Sequence, residues 1–81
     1  MESDSQLMME AELMVVGSQL HGKTQEQLVR DFCIDIMHWH NPHQQLLNRK
    51  EYSPKEIVKL GQILHIRGSS ESILKIQKLL I

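Results

Sequence analysis

The hydrophobic positions between residues 24 and 40 recur with the spacing of an α-helix. At 100° per residue, seven side chains fall on one side: Leu28, Val29, Phe32, Cys33, Ile36, Trp39 and His40. The charged residues Arg30, Asp31 and Asp35 fall on the opposite side. One apolar face opposite one charged face is typical of a helix packed against a core. The pattern therefore predicts a helix over residues 24–40 with this apolar face buried.

The segment 5–20 also has helical spacing, but it carries two apolar stripes. The first consists of Leu7, Met8, Ala11, Met14 and Val15, and the second of Met9, Leu13, Val16 and Leu20. A helix in so short a chain can bury only one stripe in its own core. We therefore predict that the second stripe covers a second copy or a partner, together with Leu79 and Leu80 at the apolar end of the chain.

Capping signals divide the rest of the chain. Thr24 to Gln27, "TQEQ", has the form of a capping box. Asn41-Pro42 and Ser53-Pro54 each place a capping residue before a proline, and Gly68 precedes a serine-rich helix start. These signals predict an all-α bundle in one domain, 1–81. Its four main helices lie near 5–20, 24–40, 54–67 and 70–81, with a short helical turn near 42–49.

A small α/β fold is the alternative. The stretches "AELMVVGS" and "QILHIRGS" contain β-branched residues, which favour strands. This interpretation places strands near 11–16 and 62–67. The helical spacing of the other segments favours the bundle.

Composition narrows the class of protein. The chain has 81 residues, 41% hydrophobic and 23% charged, which suits one globular domain. Its single cysteine excludes an internal disulfide framework and fits a reducing compartment. No apolar run approaches the ~20 residues of a membrane span, and the acidic N-terminus lacks the basic start of a secretory signal. We therefore predict a cytoplasmic protein that does not bind membranes.

Charge is distributed unevenly between the two halves. Residues 1–40 contain seven acidic and two basic residues, a net charge of −5, whereas residues 41–81 contain three acidic and seven basic residues, a net charge of +4. A basic half can bind nucleic acid. The order helix, glycine turn, helix over 55–81 would suit a helix-turn-helix. Its candidate contacts are Lys55, Lys59, Arg67, Lys75 and Lys78, although they supply phosphate contacts and no base readout.

The stretch "MHWHNPH" holds three of the five histidines. On a helix, His38 and His40 point to opposite sides, so they cannot share an ion. Only His40 and His43 remain as weak metal candidates, and two ligands do not make a structural site. We therefore predict no metal and no cofactor. If the segment were extended instead, His38 and His40 would share a face and the metal hypothesis would regain support.

No catalytic motif is present. The sequence contains no glycine-rich phosphate loop, nucleophile elbow or metalloprotease helix. We therefore predict a small non-enzymatic regulatory or adaptor protein, acting through protein–protein interaction and self-association. Its expected partners are a second copy, as a homodimer, and an unidentified protein. The alternative function is a transcriptional regulator that binds nucleic acid through the basic C-terminal half.

Overall fold

An antiparallel sheet forms the centre of this protein. The computed structural model describes residues 7–16, 19–43 and 48–79. Their elements in chain order are β1 (Met8–Met14), α1 (Gln25–Phe32), β2 (Ile34–His40), β3 (Lys50–Glu51), β4 (Ile63–Ser69) and α2 (Ser70–Lys78). The strands lie in the order β1-β4-β2-β3, and both helices pack on one face of the sheet.

The predicted all-α bundle is wrong, and the small α/β alternative has the right class. The strand β1 overlaps the alternative strand near 11–16, and β4 overlaps the one near 62–67. The described part of the predicted helix 5–20 is thus a strand and a loop. In the predicted helical turn 42–49, Pro42 and His43 form a turn, and residues 44–47 lie outside the described residues.

The helix α1 starts where the sequence predicts but ends early. The Thr24 hydroxyl accepts a hydrogen bond from the backbone N–H of Gln27, and the Gln27 side chain accepts one from the backbone N–H of Thr24. This confirms the capping box. The helix ends at Cys33, which adopts the left-handed conformation with φ 54° and donates its N–H to Val29. Residues 34–40 then continue as β2, so the predicted helix 24–40 is only half right.

The predicted helix 54–67 is wrong because its backbone groups bond to a distant segment. Pro54 and Lys55 form a turn, closed by the N–H of Glu56 donating to Ser53. Beyond the turn, Val58 exchanges backbone hydrogen bonds of 2.8 and 2.9 Å with Lys23 and Gly22. The serine-proline signal therefore marks a turn before an extended segment.

The helix α2 follows β4 without a loop. The Ser69 hydroxyl accepts from the N–H of Ser72 at 3.1 Å, which confirms the predicted cap. The helix is described to Lys78, and residues 80–81 lie outside the described residues. Among the described residues, no helix is long and apolar enough to span a membrane.

The core lies between the sheet and the two helices. Its buried hydrophobic residues are Leu13, Val15, Leu20, Leu28, Ile34, Ile36, Trp39, Val58, Leu64, Ile66, Ile73 and Ile76. Two glutamines are also buried and bind loop backbone: Gln25 accepts from the N–H of Ser53, and Gln62 from the N–H of Lys59. These bonds hold the 53–62 segment against the core.

A bulge in β2 decides which side chains face the core. Ile36 lies opposite Ile66, but the next pair is His38 opposite His65, which leaves Met37 without a cross-strand partner. Such a bulge reverses the alternation of side chains. As a result Trp39 joins Ile34 and Ile36 in the core, and His38 turns to the opposite, open face of the sheet.

Candidate functional site

Charged and imidazole side chains lie in rows across the open face of the sheet. Residues directly opposite each other in antiparallel strands point to the same side. The first row runs Glu10, Arg67, Asp35 across β1, β4 and β2. The second row, which we call the histidine row, runs Glu12, His65, His38, Glu51 from β1 to β3. Each row therefore has an acid at both ends, with Arg67 between them in the first row and two imidazoles between them in the second.

The two imidazoles of the histidine row are in contact. Their ring centroids are 4.0 Å apart and the rings are tilted by 31°. On the β1 side, Nε2 of His65 lies 3.4 Å from Oε2 of Glu12. A third ring, His40, has its centroid 6.0 Å from that of His65. Three histidines and a carboxylate thus share one small area of the sheet.

Two ring nitrogens in this cluster are buried and have no hydrogen-bond partner within the part of the chain that the structure describes: Nδ1 of His38 and Nε2 of His65. His65 Nε2 is within ion-pair distance of Glu12, but not in hydrogen-bonding alignment. A cavity of about 190 Å³ opens beside these atoms, lined by Glu10, Ala11, Glu12, His38, His65 and Ile66. The two nitrogens are available to a proton or a small polar partner.

The surroundings of His38 oppose its protonation. Burial is the largest cause that lowers the pKa of His38 below its usual value, and charge on His65, Arg49 and His40 lowers it further. Glu12 acts in the opposite direction. Because charge on His65 lowers the pKa of His38, a proton on the first ring discourages a second proton on its neighbour.

The strand places His38 and His40 on one face, as the extended interpretation of "MHWHNPH" requires. His43, by contrast, lies in the turn after β2 with φ 65°. Among residues 7–16, 19–43 and 48–79, no group of three His, Cys, Asp or Glu side chains is arranged to hold a metal ion. The shared face of His38 and His40 therefore does not by itself make a metal centre.

The outer edge of β1 is a second feature of interest. Among the described residues, β1 pairs only with β4. Val15 directs both its N–H and its C=O to the β4 side, to Gln62 and Gly61, at 2.9 and 2.7 Å. Because this direction alternates along an antiparallel strand, the even-numbered residues of β1 direct their backbone groups outward. These are Met8, Glu10, Glu12 and Met14.

Exposed apolar side chains lie along this edge. Met8, Met9 and Met14 are 53%, 48% and 54% exposed, and Val16 just beyond the strand is 58% exposed. At the other side of the sheet, β3 has only the two charged residues Lys50 and Glu51. A long edge strand with unpaired backbone groups and exposed apolar side chains is a template for pairing with another chain.

The structure divides the predicted self-association residues between core and surface. Met9 and Val16 are exposed, whereas Leu13 and Leu20 are core residues with 3% and 0% exposure. Leu79 packs partly against the core, and Leu80 lies outside the described residues. The predicted stripe is therefore not one surface. Its four residues would share one face of a helix, but in the strand and loop that form here they do not.

The predicted nucleic-acid contacts do not converge. The helix-turn-helix over 55–81 is wrong, because the residues before Ser70 form β4 and not a helix. Lys55 and Lys59 lie in the extended segment before β4, while Lys75 and Lys78 lie on the exposed side of α2. Arg67 lies on the open face between Glu10 and Asp35.

The pairing of Glu12, His65 and His38 was not predicted from the sequence. A signal was present: each long strand carries two polar residues spaced by two, Glu10 and Glu12, His38 and His40, His65 and Arg67. Polar residues at that spacing indicate one solvent-facing side of a strand.

No known protein family and no curated protein matches this chain.

Proposed function

We propose that this protein is a non-enzymatic interaction module that forms a homodimer through the outer edge of β1, and that it works as a small regulator or adaptor. The observation that carries the proposal is the edge itself: a seven-residue strand with outward backbone groups and half-exposed methionines. Pairing with a second β1 would satisfy those backbone groups and bury the methionines. Flexible methionine side chains suit such an adaptable contact.

Symmetry selects the register of the two strands. In a two-fold antiparallel pair, one residue of β1 lies opposite itself. Centring the pair on Ala11 places Met8 opposite Met14 of the second copy, and Glu10 opposite its Glu12. This register uses all four outward-facing residues of the strand. Centring on Glu10 or Glu12 would instead set Met8 or Met14 opposite a carboxylate, so the two methionines would no longer pack against each other.

Other surfaces fit this role less well. The centre of the open face carries the two charged rows, which are compatible with solvent, and β3 is too short to template a partner. Nucleic-acid binding has less support, since Arg67 lies between two carboxylates and the four lysines belong to separate elements. We place the protein in the cytoplasm because its one cysteine, Cys33, is free and exposed, as in a reducing compartment.

Charged residues introduced at positions 8 and 14 test both the pairing through the β1 edge and the Ala11-centred register. Met8→Lys/Met14→Lys sets two lysines opposite each other at each end of the paired strands. Like charges directly opposite cost up to about 1 kcal/mol per pair, so the two pairs weaken association roughly thirtyfold. Met8→Lys/Met14→Glu alters the same exposed positions but sets lysine opposite glutamate, so it retains the dimer.

Sedimentation equilibrium of the two variants and the wild type measures this difference, with circular dichroism to verify the fold. A wild type that is monomeric at every concentration contradicts the proposal. So does a lysine pair that dimerises as well as the wild type. If nucleic acid binds while the chain stays monomeric, the alternative function takes its place.

A further inference from the structure

We propose that His65 makes this dimer pH-dependent: its protonation neutralises excess carboxylate charge at the junction of the two β1 strands, so association is tighter in mildly acidic solution. This inference rests on the proposed function, because it concerns the same edge in the Ala11-centred register.

Acidic residues gather at that junction. Each copy contributes Glu10 and Glu12 on the open face, so four carboxylates meet where the two strands pair. Glu10 has Arg67 directly opposite it on β4, which supplies two cationic groups per dimer. Glu12 has His65 opposite it, and a neutral imidazole does not compensate the negative charge of Glu12. With both His65 rings neutral, the junction therefore carries an excess of negative charge.

Protonation of His65 supplies the missing charge at the right place. Its Nε2 atom is buried, has no hydrogen-bond partner and lies 3.4 Å from the carboxylate of Glu12. With both His65 rings protonated, four cationic groups face four carboxylates. The repulsion between Glu12 and Glu10 of the second copy is then weaker. Histidine as a residue type changes its charge between about pH 5 and 8, so that interval is the one to measure.

Several charged or titratable groups of the described residues surround His65. Those facing it are Glu12 and Glu10 from β1, His38, His40 and Asp35 from β2, Arg67 from its own strand, and Glu51 and Arg49 beyond His38. Association adds Glu10 of the second copy, one more negative group near Glu12. Pairing therefore favours the protonated ring, and by linkage the protonated ring favours pairing.

The test measures the dimer dissociation constant at pH 8, 7 and 6 and constant ionic strength. Two exposed ion pairs of ordinary strength predict a constant roughly twofold to thirtyfold tighter at pH 6 than at pH 8. His65→Asn should remove this dependence. Glu12→Gln should dimerise tightly at pH 8 already and vary little with pH. His21→Asn, which changes an exposed histidine on another segment, should behave as the wild type.

The outcomes separate the two proposals. A wild-type dimer whose dissociation constant is the same at all three pH values overturns this inference and leaves the β1 interface intact. The same holds if His65→Asn keeps the wild-type dependence. If His65→Asn fails to fold, Glu12→Gln still decides, because that side chain is exposed. The absence of a wild-type dimer at every pH overturns the proposed function as well.

Discussion

His38 and His65 face each other across β2 and β4 with their ring centroids 4.0 Å apart. Two imidazoles so close repel each other when both are charged. Burial, and after it this repulsion, lowers the pKa of His38 below its usual value. The pair therefore resists full protonation, and that resistance affects the stability of the fold.

We predict that acidification destabilises the monomer through His38. Because the pKa of His38 is lower in the folded than in the unfolded state, the unfolded chain binds more protons below pH 6.5. The free energy of unfolding therefore falls as the pH drops through 6.5, and this contribution levels off below the folded pKa. Urea unfolding of wild type and His38→Asn, at concentrations where only monomer is present, measures the difference. An equal slope in both proteins would contradict the prediction.

Two glycines with positive φ provide a matched pair of substitutions. Gly61 has φ 87°, and a Cβ there would lie 2.8 Å from Cγ of Pro42. Gly22 has φ 90° and no atom within 4 Å of the same position. Gly22→Ala should therefore cost only the backbone strain, about 1–2 kcal/mol. Gly61→Ala should cost roughly 1 kcal/mol more because the ring of Pro42 must move. Equal unfolding free energies would show that this contact relaxes without cost.

Trp39 links the core to the edge strand β3. Its indole N–H donates to the carbonyl of Glu51 at 3.0 Å, and the ammonium of Lys50 lies 5.0 Å from its ring centroid. Trp39→Phe should cost about 1–3 kcal/mol, from the lost hydrogen bond and the space left behind. Lys50→Met, which removes only the cation, should cost about 1 kcal/mol or less. Chemical unfolding tests this order, and a costlier Lys50→Met would reverse it.

Met37 occupies the bulge of β2, and we predict that the protein still folds when this residue is deleted. The pairs on either side of it, Ile36 with Ile66 and His38 with His65, are consecutive along β4. Deleting Met37 therefore leaves a regular strand in which every other residue keeps its partner and its face. Deleting Asp35 would instead move Ile34 out of register. We expect the first deletion to fold with both imidazoles still adjacent and the second to lose most of its stability, as circular dichroism and NMR would report.

The same bulge explains why the sequence favoured helices. With Met37 inserted, the core residues of β2 fall at 34, 36 and 39 instead of following strict alternation. Together with Leu28 and Phe32 of α1, positions 36 and 39 mimic helical spacing. Cys33 ends the helix in a left-handed conformation. A glycine usually occupies such a position, so the sequence gives no signal that the helix ends there. The caps at Thr24 and Ser69 were predictable because they depend only on neighbouring residues.

Predicting the histidine row requires the order of the strands in the sheet, which the local sequence does not give. His38 and His40 could be placed on one face as soon as the segment was taken as extended. That His65 and Glu12 would complete the row depends on the sheet order β1-β4-β2-β3. This order brings together residues far apart in the chain. Polar residues at i and i+2 indicate a strand's outer side but not its neighbours.

The unequal edges of the sheet limit how far assembly can proceed. A contact that a surface makes with its own copy is used up once the two copies meet. In the proposed dimer, the ends of the extended sheet would be two β3 strands of only two charged residues each. Growth into a filament needs a complementary edge at each end, and neither end offers one. If the proposed dimer forms, its first association uses up the long edge strand, and the protein does not polymerise through that edge.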